Sequence, residues 1–180
     1  MKYVIVHLVR GEAGKLHEEI TRDLTQKFDT YPLYDFIPPH LTLKRSFEFD
    51  ENKIIDVYQV VEDFTSNYVQ ADYKLKGFGN FNEAAVYIDV LPSAEMKQNL
   101  SNLQESLSKI EGISLDQFDR NQNLHATVAL GKLKPYDLDQ IWSYVQDLEQ
   151  PDFSMKFDNV AVLKKVENRW ITERVFEIKS

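Results

Sequence analysis

The sequence predicts an α+β fold built mostly from antiparallel sheets. Three observations point there. Helical and strand periodicities alternate irregularly along 180 residues. Neighbouring strand patterns are separated only by short turns. One arrangement also occurs twice: a helix, a histidine-bearing strand and a second helix, before residue 67 and again from about 94 to 148. The length suits one domain, residues 1–180, with a substantial core.

Residues 3–9 (YVIVHLV) are apolar and β-branched, a buried strand. Leu16, Ile20, Leu24 and Phe28 recur at four-residue intervals, so 12–28 reads as an amphipathic helix. Pro32, Pro38 and Pro39 mark an extended connection into a strand from His40 to about Glu48. Asp50 is a candidate N-cap for a helix over 51–67, with Ile54, Val57, Val61 and Phe64 along one stripe. Residues 72–77 and 84–91 read as two strands joined around GFGNF. Ser93 is placed to cap a helix whose seam is Met96, Leu100, Leu103, Leu107 and Ile110. A loop over 112–123 leads to a strand at 124–130. Asp137 and Gln140 resemble a capping box for a helix carrying Leu138, Ile141, Trp142, Val145 and Leu148. Strands over roughly 153–166 and 170–178, turning at Glu167–Asn168, complete the pattern.

Composition narrows the chemistry. The hydrophobic share is 43% and the charged share 28%, ordinary values for a globular protein. No run approaches the roughly 20 apolar residues of a membrane span. The apolar stretch Tyr3–Val9 is interrupted by His7 and lacks a small-residue cleavage site, so no signal peptide is expected and the expected location is cytoplasmic. With no cysteines, the chain has no thiol nucleophile, disulfide or zinc-thiolate site. The formal charge is −8, with no basic arm or tail. A grip on long nucleic acid would neutralise many phosphates with Lys and Arg. A small nucleotide, or the end of an oligonucleotide, needs only a few local cations.

Two short motifs carry the functional signal. Pro39-His40-Leu41-Thr42-Leu43 and Leu124-His125-Ala126-Thr127-Val128 both open apolar strand patterns. Residues i and i+2 of a strand share a face. His40 and Thr42 therefore stand side by side, roughly 6–7 Å apart at the backbone, while Leu41 and Leu43 turn into the core. His125 and Thr127 repeat this over Ala126 and Val128. In-line cleavage of a phosphodiester needs a base for the attacking water and an acid for the departing oxygen, and histidine titrates where it can serve as either. A threonine hydroxyl can donate to a non-bridging phosphate oxygen, a bond to charge contributing about 1.5–3 kcal/mol. No Asp or Glu falls at ligand-like spacing beside either motif, so neither a metal site nor a cofactor is expected.

On PHLTL and LHATV, 85 residues apart, the sequence resembles the 2H phosphoesterase superfamily, which includes 2'-5' RNA ligase-like and cyclic phosphodiesterase proteins. An opening YVIV strand, GFGNF before AAVYIDV, and the closing FDNVAVLKKV…RWITERVFEIK extend the resemblance over most of the chain. It implies a bilobal, pseudo-two-fold fold with one motif per lobe facing a central groove. It implies hydrolysis of 2',3'-cyclic or related phosphodiesters, with His40 and His125 as the acid–base pair and Thr42 and Thr127 as phosphate anchors. RNA-end ligation at the same site and a non-catalytic nucleotide-binding module are the alternatives. Asn82-Glu83 depart from relatives that place basic residues after the aromatic loop.

The remaining candidates are weaker. Phe81 and Tyr87, with Phe78, could stack on a base, although aromatic packing in the core is the simpler reading. Lys44 and Lys132, with Arg45 and Lys134, follow the motifs and could meet phosphate. His7 is a packed or edge residue on this reading, with a groove-lining role as the alternative. His17 lies off the apolar stripe of its helix and is expected in solvent. The protein is expected to act as a monomer.

Overall fold

The computed structural model describes residues 1–81, 85–120, 123–130 and 135–180, the side chains of 135–137 excepted. Strand β1 (Lys2–Leu8) is apolar on both faces and buried on both. It lies inside a four-stranded antiparallel sheet of order β2-β1-β7-β8, where β2 is His40–Glu48, β7 Asn159–Val166 and β8 Arg169–Glu177. A second antiparallel sheet has the order β5-β4-β3-β6, with β3 at Ala71–Asn80, β4 at Ala85–Pro92, β5 at His125–Leu130 and β6 at Asp152–Phe157. Each sheet ends on a motif strand, β2 in the first and β5 in the second.

Four long helices connect the strands: α1 (Gly11–Phe28), α3 (Ile54–Asn67), α4 (Ala94–Ser108) and α6 (Pro135–Asp147). Ser93 caps α4 as its position predicts, its Oγ accepting the Met96 N–H at 3.1 Å. Asp50 caps instead the 3-10 turn Glu51–Lys53 that precedes α3. Asp137 lies among the side chains outside the described set; α6 opens at Pro135, a residue suited to the first helical turn. Two short helices, α2 (Leu33–Phe36) and α5 (Gln117–Arg120), occupy segments whose Pro and Gly punctuation reads only as connection.

One core runs under both sheets. It joins Tyr3, Ile5 and Leu41 of the first sheet to Tyr73, Leu75, Ile88 and Ala126 of the second, through Leu24, Phe64, Leu103 and Ile141 of the helices. The apolar run over 153–166 is two strands rather than one. It breaks at Asp158, and β6 and β7 then enter different sheets. The turn at Glu167–Asn168 closes β7 onto β8 as expected, with Val166 opposite Arg169. The GFGNF segment is not a turn; β3 runs through it to Asn80 with an irregularity between Leu75 and Phe78. No helix among the described residues is long and apolar enough to cross a membrane.

Candidate active site

The two motif strands share a local design. The burial of β2 from His40 to Arg45 alternates partly buried and buried, then gives two successive buried residues and an exposed one; β5 from His125 to Leu130 does the same. Each strand bulges just after its threonine. Thr42 lies opposite Val6 but Lys44 opposite Ile5, so Leu43 is the extra residue. Thr127 lies opposite Tyr87 but Ala129 opposite Val86, so Val128 is its counterpart. A bulge adds one residue and bends the strand. His40 and Thr42 thus share one face, and His125 and Thr127 another, with the alternation resetting immediately afterwards. β2 and β5 come within 8 Å between Cα atoms.

Both histidines are oriented by their own backbone. The Nδ1–H of His40 donates to the Pro38 carbonyl at 2.8 Å, and that of His125 to the Asn123 carbonyl at 2.7 Å. A carbonyl can only accept, so the proton sits on Nδ1 and Nε2 is left with its lone pair. Burial holds the His40 pKa down to about 4, the Pro38 bond opposes that, and a charge on nearby His125 would lower it further. His125 is also pushed down by burial, with the Asn123 carbonyl and the Asp89 carboxylate pulling the other way. Asp89 lies directly opposite His125 across the β4–β5 ladder.

Neighbours on each motif face follow from register, because residues directly opposite share a face. On the first sheet Leu8 lies opposite His40 and Val6 opposite Thr42. Val4, Val6, Ala161 and Leu163 form a small apolar cluster, with Ile37, Trp170 and Val175 packed on it. Lys165 holds its ammonium 6.0 Å from the centre of the Trp170 ring. On the second sheet, Phe81 meets the His125 ring edge-on at 4.7 Å and Tyr87 lies 5.1 Å from it. Room for the Tyr87 ring comes from Gly79, where an added Cβ would fall 2.4 Å from the ring.

Some expectations hold and others need correction. His7 is packed, as its first reading has it, and its alternative role in lining the groove is the part corrected. His7 lies opposite Leu41 on the core face, 1% exposed, donating from Nδ1 to the Asn159 carbonyl at 3.0 Å and accepting the Tyr73 hydroxyl at Nε2 at 2.9 Å. Lys44 is not a phosphate ligand. The bulge at Leu43 turns it inward, 3% exposed, onto the buried Asp119 carboxylate at 2.8 Å. Tyr87 is 7% exposed and packed and Phe78 packs on the core from one side, the simpler of the two readings for both, which leaves the base-stacking alternative as the part corrected. Arg45 is exposed and paired with Asp116 at 3.2 Å. His17, expected in solvent, is 5% exposed. Lys132, Lys134, Asn82 and Glu83 lie outside the described residues. Sequence reasoning missed Asp89 and Gln104. Only the strand register brings Asp89 opposite His125.

The family model of the 2'-5' RNA ligase superfamily matches residues 11–169. The chain belongs to the 2'-5' RNA ligase superfamily. This superfamily member is 30% identical over 129 residues to a Bacillus licheniformis protein whose name assigns it provisionally to the phosphoesterases, covering 72% of this chain and 70% of the relative. A Bacillus pumilus protein of the same description is 28% identical over 98 residues, and the match spans 54% of its length. Among solved structures, TT0787 of Thermus thermophilus superimposes with a TM-score of 0.69 at 12% identity, covering 100% of this chain and 99% of its own. Escherichia coli LigT complexed with 3'-AMP gives 0.58 at 13% identity, covering 99% and 98%. These structural matches establish the 2H phosphoesterase fold for the superfamily member.

Proposed function

We propose that this chain is a metal-independent phosphodiesterase that hydrolyses 2',3'-cyclic or related nucleotide and oligonucleotide-end phosphodiesters, with residues 1–180 acting as one bilobal unit. The observation that carries the reading is the matched anchoring of His40 and His125. Each ring spends Nδ1 on a carbonyl two residues earlier and keeps Nε2 for chemistry. Family membership and the phosphoesterase name of the Bacillus licheniformis relative support the same reaction class. LigT is described in complex with 3'-AMP and with ATP, which supports a nucleotide as the bound group.

Roles follow from the surroundings. His40 is held neutral by burial, and the charge that bears on it is that of His125 rather than of a carboxylate, so it is the base. His125 has Asp89 opposite it, which favours an imidazolium, so it is the acid. His40 Nε2 takes a proton from water as the water oxygen attacks phosphorus. The phosphorus–oxygen bond to one ribose oxygen breaks, and His125 delivers its proton to that oxygen. Thr42 and Thr127 donate to the non-bridging oxygens, whose charge grows in the transition state. Protons are then exchanged with solvent to restore the starting pair.

Incubating the protein with each 2',3'-cyclic mononucleotide and a chelator tests this. The expected result is a 2'- or 3'-monophosphate, with His40→Ala and His125→Ala each slower by roughly 10²- to 10⁴-fold while folded. Full activity in either variant overturns the proposal. Saturable nucleotide binding without product would identify a binding module instead. Ligation through attack of a 2'-hydroxyl on a cyclic phosphate would use the same groups; the net charge of −8 favours hydrolysis of small substrates.

A further inference from the structure

Beyond the motif residues, each motif strand is tied by a helix that belongs, in chain order, to the other half. α1 links the first-sheet strands β1 and β2, yet its His17 sends Nε2–H to the Thr127 carbonyl of β5 at 2.7 Å. α4 links the second-sheet strands β4 and β5, yet its Gln104 donates from Nε2 to the Leu43 carbonyl of β2 at 3.1 Å. We propose that His17 and Gln104 are positioning residues for the phosphoesterase reaction, a reciprocal pair that sets the two motif strands, and so the two imidazoles, at a fixed separation. The proposal rests on the functional reading given above.

Three features carry it. First, both contacts fall at the bulges, on the carbonyl of the bulged residue Leu43 and on that of Thr127 immediately before Val128. A bulge interrupts the ladder, and β2 and β5 are edge strands, so side chains must supply what a neighbouring strand cannot. Second, both donors are buried: His17 is 5% exposed and Gln104 7%. A hydrogen bond made by a buried donor is costly to lose, because the donor is left away from water. Third, His17 Nδ1 meets no polar atom among the described residues. Its ring therefore serves one bond only, as a neutral Nε2–H donor, and burial keeps it neutral by pushing its pKa to about 4. A charge on it would oppose one on His40. A residue needed only to fill this space would be apolar.

The distinction from plain packing is measurable. His17→Leu keeps the bulk and removes the donor; His17→Gln restores an N–H at similar reach, the device Gln104 already uses. With a 2',3'-cyclic nucleotide, His17→Leu should lose about 10- to 100-fold in kcat with KM within about threefold, as for a misplacement of order 1 Å. His17→Gln should recover to within about fivefold of the native kcat. Gln104→Leu should repeat the loss from the other side. Histidine ring NMR supplies the second arm. His17→Leu should displace the His125 resonances more than those of His40, and Gln104→Leu the reverse. A native kcat in His17→Leu overturns the proposal, as does equal damage in folded His17→Gln. If His17→Leu does not fold, Gln104→Leu and His17→Gln decide by the same criteria. Absence of turnover by the native protein would defeat the functional reading alone. The NMR arm would still decide whether the two ties set the ring positions.

Discussion

His40 and His125 hang from their own strands by the same bond, Nδ1–H to the carbonyl two residues earlier, at 2.8 and 2.7 Å. Matching tautomers leave two equivalent Nε2 atoms, and in the proposed reaction the different neighbours of each ring divide their roles. The pH dependence of turnover follows. Burial holds His40 down to about 4 and depresses His125 as well. The competent form has one ring neutral and one protonated, so its population peaks between the two values. The kcat/KM profile should be bell-shaped with its maximum below about pH 6.5. A bound phosphodiester anion favours imidazolium, so the kcat maximum should lie at higher pH. A kcat/KM that climbs steadily to about pH 8 would contradict this.

The proposed roles, with His125 as acid beside Asp89 and His40 as base, are separable by experiment. A p-nitrophenyl phosphodiester leaves without needing a proton. With that substrate His125→Ala should recover most of its lost rate, whereas His40→Ala should stay impaired by at least about 10²-fold. The opposite pattern would exchange the roles.

Gly79→Ala tests the support behind His125. The new Cβ would fall 2.4 Å from Tyr87 and push its ring off His125. Overpacking of this kind costs about 1–3 kcal/mol. Urea unfolding should register that loss, and kcat should fall further than KM changes.

Lys44→Met should destabilise without touching the chemistry. Asp119 would keep the Arg45 and Asp116 N–H groups, at 2.8 and 3.1 Å, but lose its only ion-pair partner among the described residues. Stranding a buried charge costs about 3–5 kcal/mol, a fall in Tm on the order of 10 °C for a chain this long. An unchanged Tm would show that the backbone donors alone hold the carboxylate.

Acid should destabilise the protein through its buried histidines. His7, His17 and His40 are all lowered by burial to about 4, against an ordinary value of 6.5, and His125 is lowered in the same direction. Between those values the unfolded chain binds more protons, so the stability they confer is complete above about pH 6.5 and lost as pH falls towards about 4. Each shift corresponds to at most about 3 kcal/mol. Urea midpoints should drop between about pH 7 and about pH 4.5, and less steeply in His17→Gln.

The motif pair was legible because a strand's two-residue period turns His-x-Thr into a shared face wherever the strand lies. Helix seams such as Met96–Leu107 were legible for the same kind of reason. Lys44 was misplaced because a bulge reverses inside and outside without altering composition. His17 was misplaced because its helix is covered on a second side, by β5, and a single apolar stripe cannot reveal that. The break at Asp158 hides within a continuous apolar run, since the two sheets that receive β6 and β7 are indistinguishable in hydrophobicity. Asp89 required the register itself.

The pairing of β1 with β7, Ile5 opposite Val162, has a consequence for biosynthesis. All the strands of the second sheet lie between residues 71 and 157, so that half can close while translation continues. The first must wait until β7 has been made, with β1 unpartnered on one side and its valines open to other nascent chains. Slow, long-range closure of this sort is where a chaperone would engage.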